Sequence, residues 1–410
     1  MYLLPKPKTI KEQDGQMLLC HSTHIVMTKE VAETEMHAAK RLQEAIRQET
    51  GFILPFSVGE VREGDLSLGI AKTLPEQTYE ITIDEKGGQI SGGDGAGVLY
   101  GVETFCQIVQ QCGGILPCVQ IQDAPDMPNR GYYFDQTRGR VLKLEELKKI
   151  ADRMCRYKLN QLQLYVEHTY LFRDFSEMWS DQTPLTAEEI LELDSYCRER
   201  HIELVPSLAS FGHLCTLLST KTYGDLCEME DSWKEPFSFW NRMRYHTINV
   251  SDERSLPLIK KMIAEYMQLF SSNKFNICAD ETFCLGKYKS KKLAEERGVH
   301  RLYIDYVKEL AQFLVENGKI PMFWGDIIWN SPELMKELPE SMICLNWGYA
   351  PEQREDETRA IAQTGAVQYL CPGVCGWNQW ANLIENSYKN ITRMCGYAAK
   401  YHGIGEFRDR

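Results

Sequence analysis

From about residue 126 onward the chain alternates short apolar runs with amphipathic stretches. Strand-like runs recur at 131–135, 161–166, 202–207, 274–278, 321–324, 342–347 and 366–370. Between them apolar positions return at the helical period. Leu147, Ile150, Met154 and Tyr157 share one face, and Ile190, Leu193 and Cys197 share another behind the capping box Thr186-Ala-Glu-Glu189. A further helix is predicted over 258–270. Such alternation requires parallel strands joined by helical crossovers. Seven runs, with an eighth at Gly403–Phe407, predict an α/β fold of the (β/α)8 TIM-barrel type. An open doubly wound sheet fits less well, because no Gly-rich phosphate turn follows the first strand. The eighth run is short and the sequence stops at Arg410, so an incomplete last strand would leave a barrel edge unpaired.

Ahead of the barrel the pattern is more mixed. A polar helix over 32–49 keeps Ala38, Leu42, Ala45 and Ile46 on one side. Tyr79–Asp84 alternates with the strand period, Lys86–Gly88 turns it back into Gln89–Ser91, and a helix follows over 98–111. Two prolines within Gln120–Pro128 interrupt both periods. The expected division is a small N-terminal α/β domain at 1–125 and a catalytic barrel at 126–410.

Composition narrows the partners. A net charge of -12 leaves no basic stripe for a phosphate backbone, which excludes nucleic acid. No apolar run reaches the ~20 residues of a membrane span, and MYLLPKPKTIKEQDGQ lacks the cationic and apolar segments of a signal peptide. Fourteen cysteines in such a chain read as reduced thiols, so the expected compartment is cytoplasmic. The tightest pair, Cys371 and Cys375, lacks zinc-site spacing and a neighbouring histidine pair. No metal and no cofactor are expected, and the oligomeric state is not set by the sequence.

Barrel enzymes build their sites at the carboxyl ends of strands. In chain order those ends offer Asp135 and Arg138, Glu167 and His168, His213, Asp280 and Glu281, Trp324 and Asp326, Trp347 and Tyr349, and Trp377. Acids beside indole faces suit a sugar, which offers an apolar C–H face and several hydroxyls. Trp324 and Trp347 are assigned to the pocket; Trp179, Trp233, Trp240 and Trp329 are assigned to the core. The segment KFNICADETFCLGKYK ends an apolar run in two adjacent carboxylates, Asp280 and Glu281. Where a strand becomes a loop, both can face the barrel mouth, one protonated and one ionised, the division that glycosidic cleavage uses.

These residues resemble glycoside hydrolase family 20, the β-N-acetylhexosaminidases, and in particular the intracellular branch that includes hexosaminidase D. The likeness runs from about residue 75 to 405. It rests on Asn129-Arg130-Gly-Tyr-Tyr-Phe-Asp135, Phe211-Gly-His213 and, most specifically, Ile277-Cys-Ala-Asp280-Glu281-Thr-x-x-Leu285-Gly286. The resemblance implies a retaining exo-hydrolase of terminal β-linked GlcNAc or GalNAc, in which the substrate's acetamido oxygen is the nucleophile and an oxazolinium ion the intermediate. It implies Glu281 as general acid and base, Asp280 as partner of the acetamido group, and His213 as the residue tuning the acid. Arg130 would hold sugar hydroxyls, with Glu167, Trp324, Asp326, Trp347, Tyr349 and Trp377 completing the substrate site. The sequence departs from the family at Gln163 and Tyr165, where histidines are usual. It departs again at Asn276, Cys278 and Ala279, which replace a histidine and two glycines. These departures leave two other readings: a sugar-binding protein on a retired barrel, or the same chemistry on a modified, for instance sulfated, hexosamine.

Overall fold

A computed structural model describes residues 1–377, 379–403 and 405–409, and the chain packs as two compact units. The first comprises Met1–Pro128 with Lys148–Asn160 and Tyr196–Ile202; the second holds the remainder.

In the first unit a seven-stranded mixed sheet runs in the order Thr9–Leu18, Ile115–Asp123, Tyr79–Asp84, Gly87–Gly92, Leu66–Ile70, Ile25–Met27 and Phe56–Val58. The expected hairpin forms, with Tyr79 opposite Gly92 and Asp84 opposite Gly87. Asp84 Oδ1 accepts from the N–H groups of Lys86 and Gly87 at 2.8 and 3.1 Å, which fixes the turn. The helix expected over 32–49 is two helices, Lys29–Thr34 and Met36–Thr50, because Glu35 leaves helical geometry at φ −120°. Ala38, Leu42, Ala45 and Ile46 are buried as the helical period requires.

The second unit is a closed parallel barrel. Its strands are β1 (Asn129–Asp135), β2 (Gln161–Val166), β3 (Glu203–Leu208), β4 (Lys274–Asn276), β5 (Ile320–Trp324), β6 (Ile343–Gly348), β7 (Val367–Pro372) and β8 (Gly405–Asp409). The last strand begins after Ile404, which lies outside the described residues. Short as it is, β8 pairs with β7 and, over Gly405↔Asn129 to Asp409↔Tyr133, with β1. The barrel therefore has no open edge there, contrary to the expectation drawn from its length.

Two local features bear on the expected elements. The capping box is made as read: Thr186 N–H donates to Glu189 Oε2 at 2.9 Å and Glu189 N–H to Thr186 Oγ1 at 3.2 Å. Strand β4 is shorter than the predicted 274–278 because Cys278 and Ala279 take left-handed backbone angles, φ +57° and +65°. The chain stays tied to its neighbour even so, with Ile277 N–H on Met322 C=O and Trp324 N–H on Cys278 C=O, both at 2.9 Å.

Candidate active site

The bend after β4 answers why two acids can sit side by side. In an extended strand Asp280 and Glu281 would point to opposite faces. Here Cys278, Ala279 and Glu281 all have positive φ, and both carboxylates turn to one imidazole. His213 Nε2 lies 3.3 Å from Asp280 Oδ2 and 3.2 Å from Glu281 Oε2. His213 itself is buried, 3% exposed, in a left-handed conformation at the exit of β3. Burial pulls its pKa down, but the charge and hydrogen-bonding capacity of Asp280, with Glu281 behind it, outweigh this and hold it at about 10. An imidazolium between two carboxylates offsets their repulsion. Asp280 responds in kind: burial raises its pKa, yet His213 and then Arg138 bring it below the ordinary carboxylate value.

The two loops carrying this triad are tied together by buried polar contacts. Ser210 Oγ donates to Ile277 C=O at 2.5 Å, Tyr306 OH to Ser210 C=O at 3.0 Å, and Tyr303 OH to Ala279 C=O at 3.0 Å. Phe211 stacks on Tyr303 at 5.6 Å between centroids. Gly212 is required, since a Cβ there would meet Asp280 C=O at 2.6 Å. Asp326, after β5, accepts the Glu281 N–H at 3.0 Å through Oδ2, while its Oδ1 is buried and unpartnered.

The triad opens on a cavity of about 630 Å³. Asp280, Glu281, Trp324, Trp347, Tyr349 and Trp377 line it, so six of the expected residues converge. Trp347 stacks on Tyr349 at 5.0 Å, Tyr349 meets Trp377 edge-on at 4.6 Å, and Trp324 packs edge-on against Tyr133 at 4.9 Å. Other expected residues lie elsewhere. Arg130 is the second residue of β1, paired in register with Glu406, and does not line the cavity. Glu167 is also outside the lining, buried and held by Arg242 Nη2 at 2.6 Å and Tyr165 OH at 2.9 Å. Asp326 sits behind Glu281 as its backbone support. Two cations, Arg138 and Arg140, line the wall; Arg138 Nε donates to Asp135 Oδ2 at 2.6 Å and its guanidinium lies 4.7 Å over the Tyr165 ring. Asp135 therefore pairs with Arg138.

Two tryptophans assigned to the core are not there: Trp233 and Trp240 are exposed, and Trp240 lines the cavity with Phe239 and Met243. All three of the lining residues belong to or flank the short helix Phe239–Arg244 in the long excursion between β3 and β4. No spacing signal in the sequence marks that helix. Among the described residues, the His213, Asp280 and Glu281 ligand atoms are also the one group close enough together to reach a metal ion, all within 4.8 Å.

Comparison with known proteins places this site in context. The pattern described as "Glycosyl hydrolase family 20, domain 2" matches residues 1–124, and "Glycosyl hydrolase family 20, catalytic domain" matches residues 128–402. A beta-hexosaminidase of Porphyromonas gingivalis is 24% identical over 91% of this chain and 50% of its own length. One from Vibrio furnissii is 26% identical over 68% of this chain and 48% of its own length. The chain thus spans about half the length of these relatives. Among solved structures, a mutant Streptomyces plicatus beta-hexosaminidase in complex with product, GlcNAc, superposes with a TM-score of 0.80 at 19% identity. That match covers 99% of this chain and 84% of the other, and it shares the fold.

Proposed function

The chain belongs to glycosyl hydrolase family 20, and on that premise we propose that it is a retaining exo-β-N-acetylhexosaminidase, releasing terminal GlcNAc or GalNAc with the substrate's own acetamido group as nucleophile. The observation that carries this reading is the joint contact of Asp280 and Glu281 with His213 at the floor of an aromatic-walled cavity. Glu281 gives a proton to the glycosidic oxygen as the acetamido oxygen bonds to C1 and the C1–O bond breaks. Asp280 accepts the acetamido N–H and balances the charge of the oxazolinium ion. Water then adds to C1, Glu281 takes its proton, and the amide re-forms with the configuration retained. His213 holds both carboxylates in place. Trp324, Trp347, Tyr349 and Trp377 supply the faces on which a pyranose lies, and we move the hydroxyl contact expected of Arg130 to Arg138 and Asp135.

A reducing, cytoplasmic compartment is part of the same proposal, supported by fourteen free cysteines. Among the described residues no helix is long and apolar enough to cross a membrane.

The test is turnover of aryl β-GlcNAc and β-GalNAc glycosides by the wild type, Glu281→Gln and Asp280→Asn. Both variants are expected to lose at least about 10²-fold in kcat, the scale of removing a positioned acid or a charge-stabilising group. A thiazoline mimic of the oxazolinium ion is expected to inhibit the wild type and to bind Asp280→Asn more weakly. Calorimetric binding of N-acetylhexosamine without any turnover would replace this reading with that of a sugar-binding protein.

A further inference from the structure

The helix Ile384–Lys400 follows β7 and buries Ser387, Asn390, Met394 and Ala398 along one stripe. That spacing is an ordinary helical contact face, except that Asn390 places an amide in it and is fully buried. Asparagine is a weak helix former, and a buried amide costs stability unless its polar atoms are bonded. Asn390 therefore requires partners, and it has three. Its Nδ2 donates to the C=O of Gly348 at 3.0 Å and to that of Ala350 at 2.7 Å, and its Oδ1 accepts the N–H of Gly373 at 2.9 Å. Both donors of the amide and its oxygen are used, all of them on main chain.

These partners sit where the barrel ladder stops. The pairing of β6 with β7 ends at Gly348↔Pro372, and past that point Asn390 bridges the two chains as a peptide group would. The two carbonyls it holds lie on either side of Tyr349. The glycine it holds is the seat of two rings, since a Cβ on Gly373 would meet Tyr349 Cδ1 at 2.6 Å and Trp377 Cη2 at 2.7 Å. Tyr349 and Trp377 line the cavity beside Trp347, whereas Asn390 does not. The same helix face continues the grip along the loop after β6. Arg393 Nε donates to Pro351 C=O at 3.0 Å and Tyr397 OH to Gln353 C=O at 2.8 Å.

We propose that Asn390 is the positioning residue of the aromatic wall: by tying the exits of β6 and β7 together it sets where Tyr349 and Trp377 stand, and so how tightly the cavity holds a hexosamine ring. This rests on the hexosaminidase reading above and adds to it a residue that governs affinity and not the chemical step. Asp280, Glu281 and His213 stand on the loops after β4 and β3, which Asn390 does not contact.

The experiment reads steady-state kinetics on an aryl β-N-acetylhexosaminide and calorimetric binding of the free N-acetylhexosamine, in wild type, Asn390→Asp and Gly373→Ala. Asn390→Asp keeps the size and the acceptor but loses both donors. It is expected to raise KM and the Kd of the free sugar about tenfold while kcat stays within about twofold, the pattern of lost binding common to ground and transition states. Gly373→Ala presses on the same two rings without altering the amide, and the same split is expected. A folded Asn390→Asp with unchanged KM, or with a fall in kcat at unchanged KM, overturns the proposal. Should Asn390→Asp fail to fold, an unchanged KM in Gly373→Ala overturns it instead. A wild type that binds the sugar but turns over no glycoside overturns the hexosaminidase reading alone, and the Kd comparison still decides the role of Asn390.

Discussion

The backbone N–H of Glu281 donates to Oδ2 of Asp326 at 3.0 Å. An acid at the exit of β5 thereby holds the left-handed conformation of an acid at the exit of β4. Burial, and then the Asp280 charge, push the Asp326 pKa up to about 8 despite the pull of that N–H. Since the folded value exceeds the unfolded value near 4, the unfolded chain is ionised across this window while the folded chain keeps its proton. Asp326 therefore costs stability increasingly as pH rises from roughly 4 to 8, and nothing below it. Asparagine retains an oxygen for the Glu281 N–H and does not titrate. Asp326→Asn is expected to raise the unfolding free energy by about 2 kcal/mol at pH 8 and leave it unchanged at pH 4. Urea denaturation at the two pH values decides it, and equal gains at both would refute the assignment.

His213 has the opposite sign. Its folded pKa of about 10 lies above its unfolded value, because the paired Asp280 and Glu281 outweigh burial. The stabilisation is complete below roughly pH 6.5 and fades as pH rises through about 10. Removing one member of a buried charge cluster costs about 3–5 kcal/mol. His213→Asn is therefore expected to lose about 3 kcal/mol at pH 6, with the loss shrinking above pH 9. Without the imidazolium Asp280 also loses its main source of acidity, so the acid limb of the kcat/KM profile should move to higher pH. Denaturation midpoints and rate profiles of the same preparations test both statements.

Which of these features the sequence displays depends on how local their causes are. The barrel strands are legible because each is a continuous apolar run bounded by polar residues, and the paired acids because they fall where such a run stops. Trp240 is misread for a physical reason. Its exposure follows from the Arg242–Glu167 contact, which joins residues 75 apart in sequence and leaves no periodic trace. The end of β4 at Asn276 is hidden likewise, since Cys278 and Ala279 adopt angles their side chains do not advertise. Asp135 and Arg138 stand at the exit of β1 in the sequence, but only the fold shows that the cavity takes them and leaves Arg130 outside its lining.

Close backbone approach makes Gly212 a sharp test of how the loop carrying His213 is coupled to the loop carrying Asp280 and Glu281. A Cβ there would stand 2.6 Å from Asp280 C=O and 3.3 Å from Glu281 C=O, and a carbonyl cannot swing aside as a side-chain tip can. Gly212→Ala must displace the loop after β4 or the loop after β3. Overpacking of this kind costs about 1–3 kcal/mol. The displacement also separates His213 from the carboxylates, so kcat is expected to fall about tenfold or more while thermal unfolding stays cooperative. A variant with full activity would mean the loops move independently.

Left-handed backbone at non-glycine residues is the remaining strain in the site, and Ala279 isolates it. Its φ of +65° belongs to the region where a Cβ costs roughly 1–2 kcal/mol. Its C=O is nonetheless fixed by Tyr303 OH at 3.0 Å, so the conformation is held by its surroundings. Glycine removes the penalty and adds roughly 0.5–1 kcal/mol of unfolded-state entropy, leaving a net gain. Cys278 is less informative, because its thiol contacts Ser207 Oγ at 3.3 Å and would be lost on substitution. Ala279→Gly is thus expected to raise stability by about 0.5–1 kcal/mol at unchanged denaturant m-value, with kcat within about twofold of wild type. Destabilisation by Ala279→Gly would instead mean that the methyl packs usefully and that the turn is not strained.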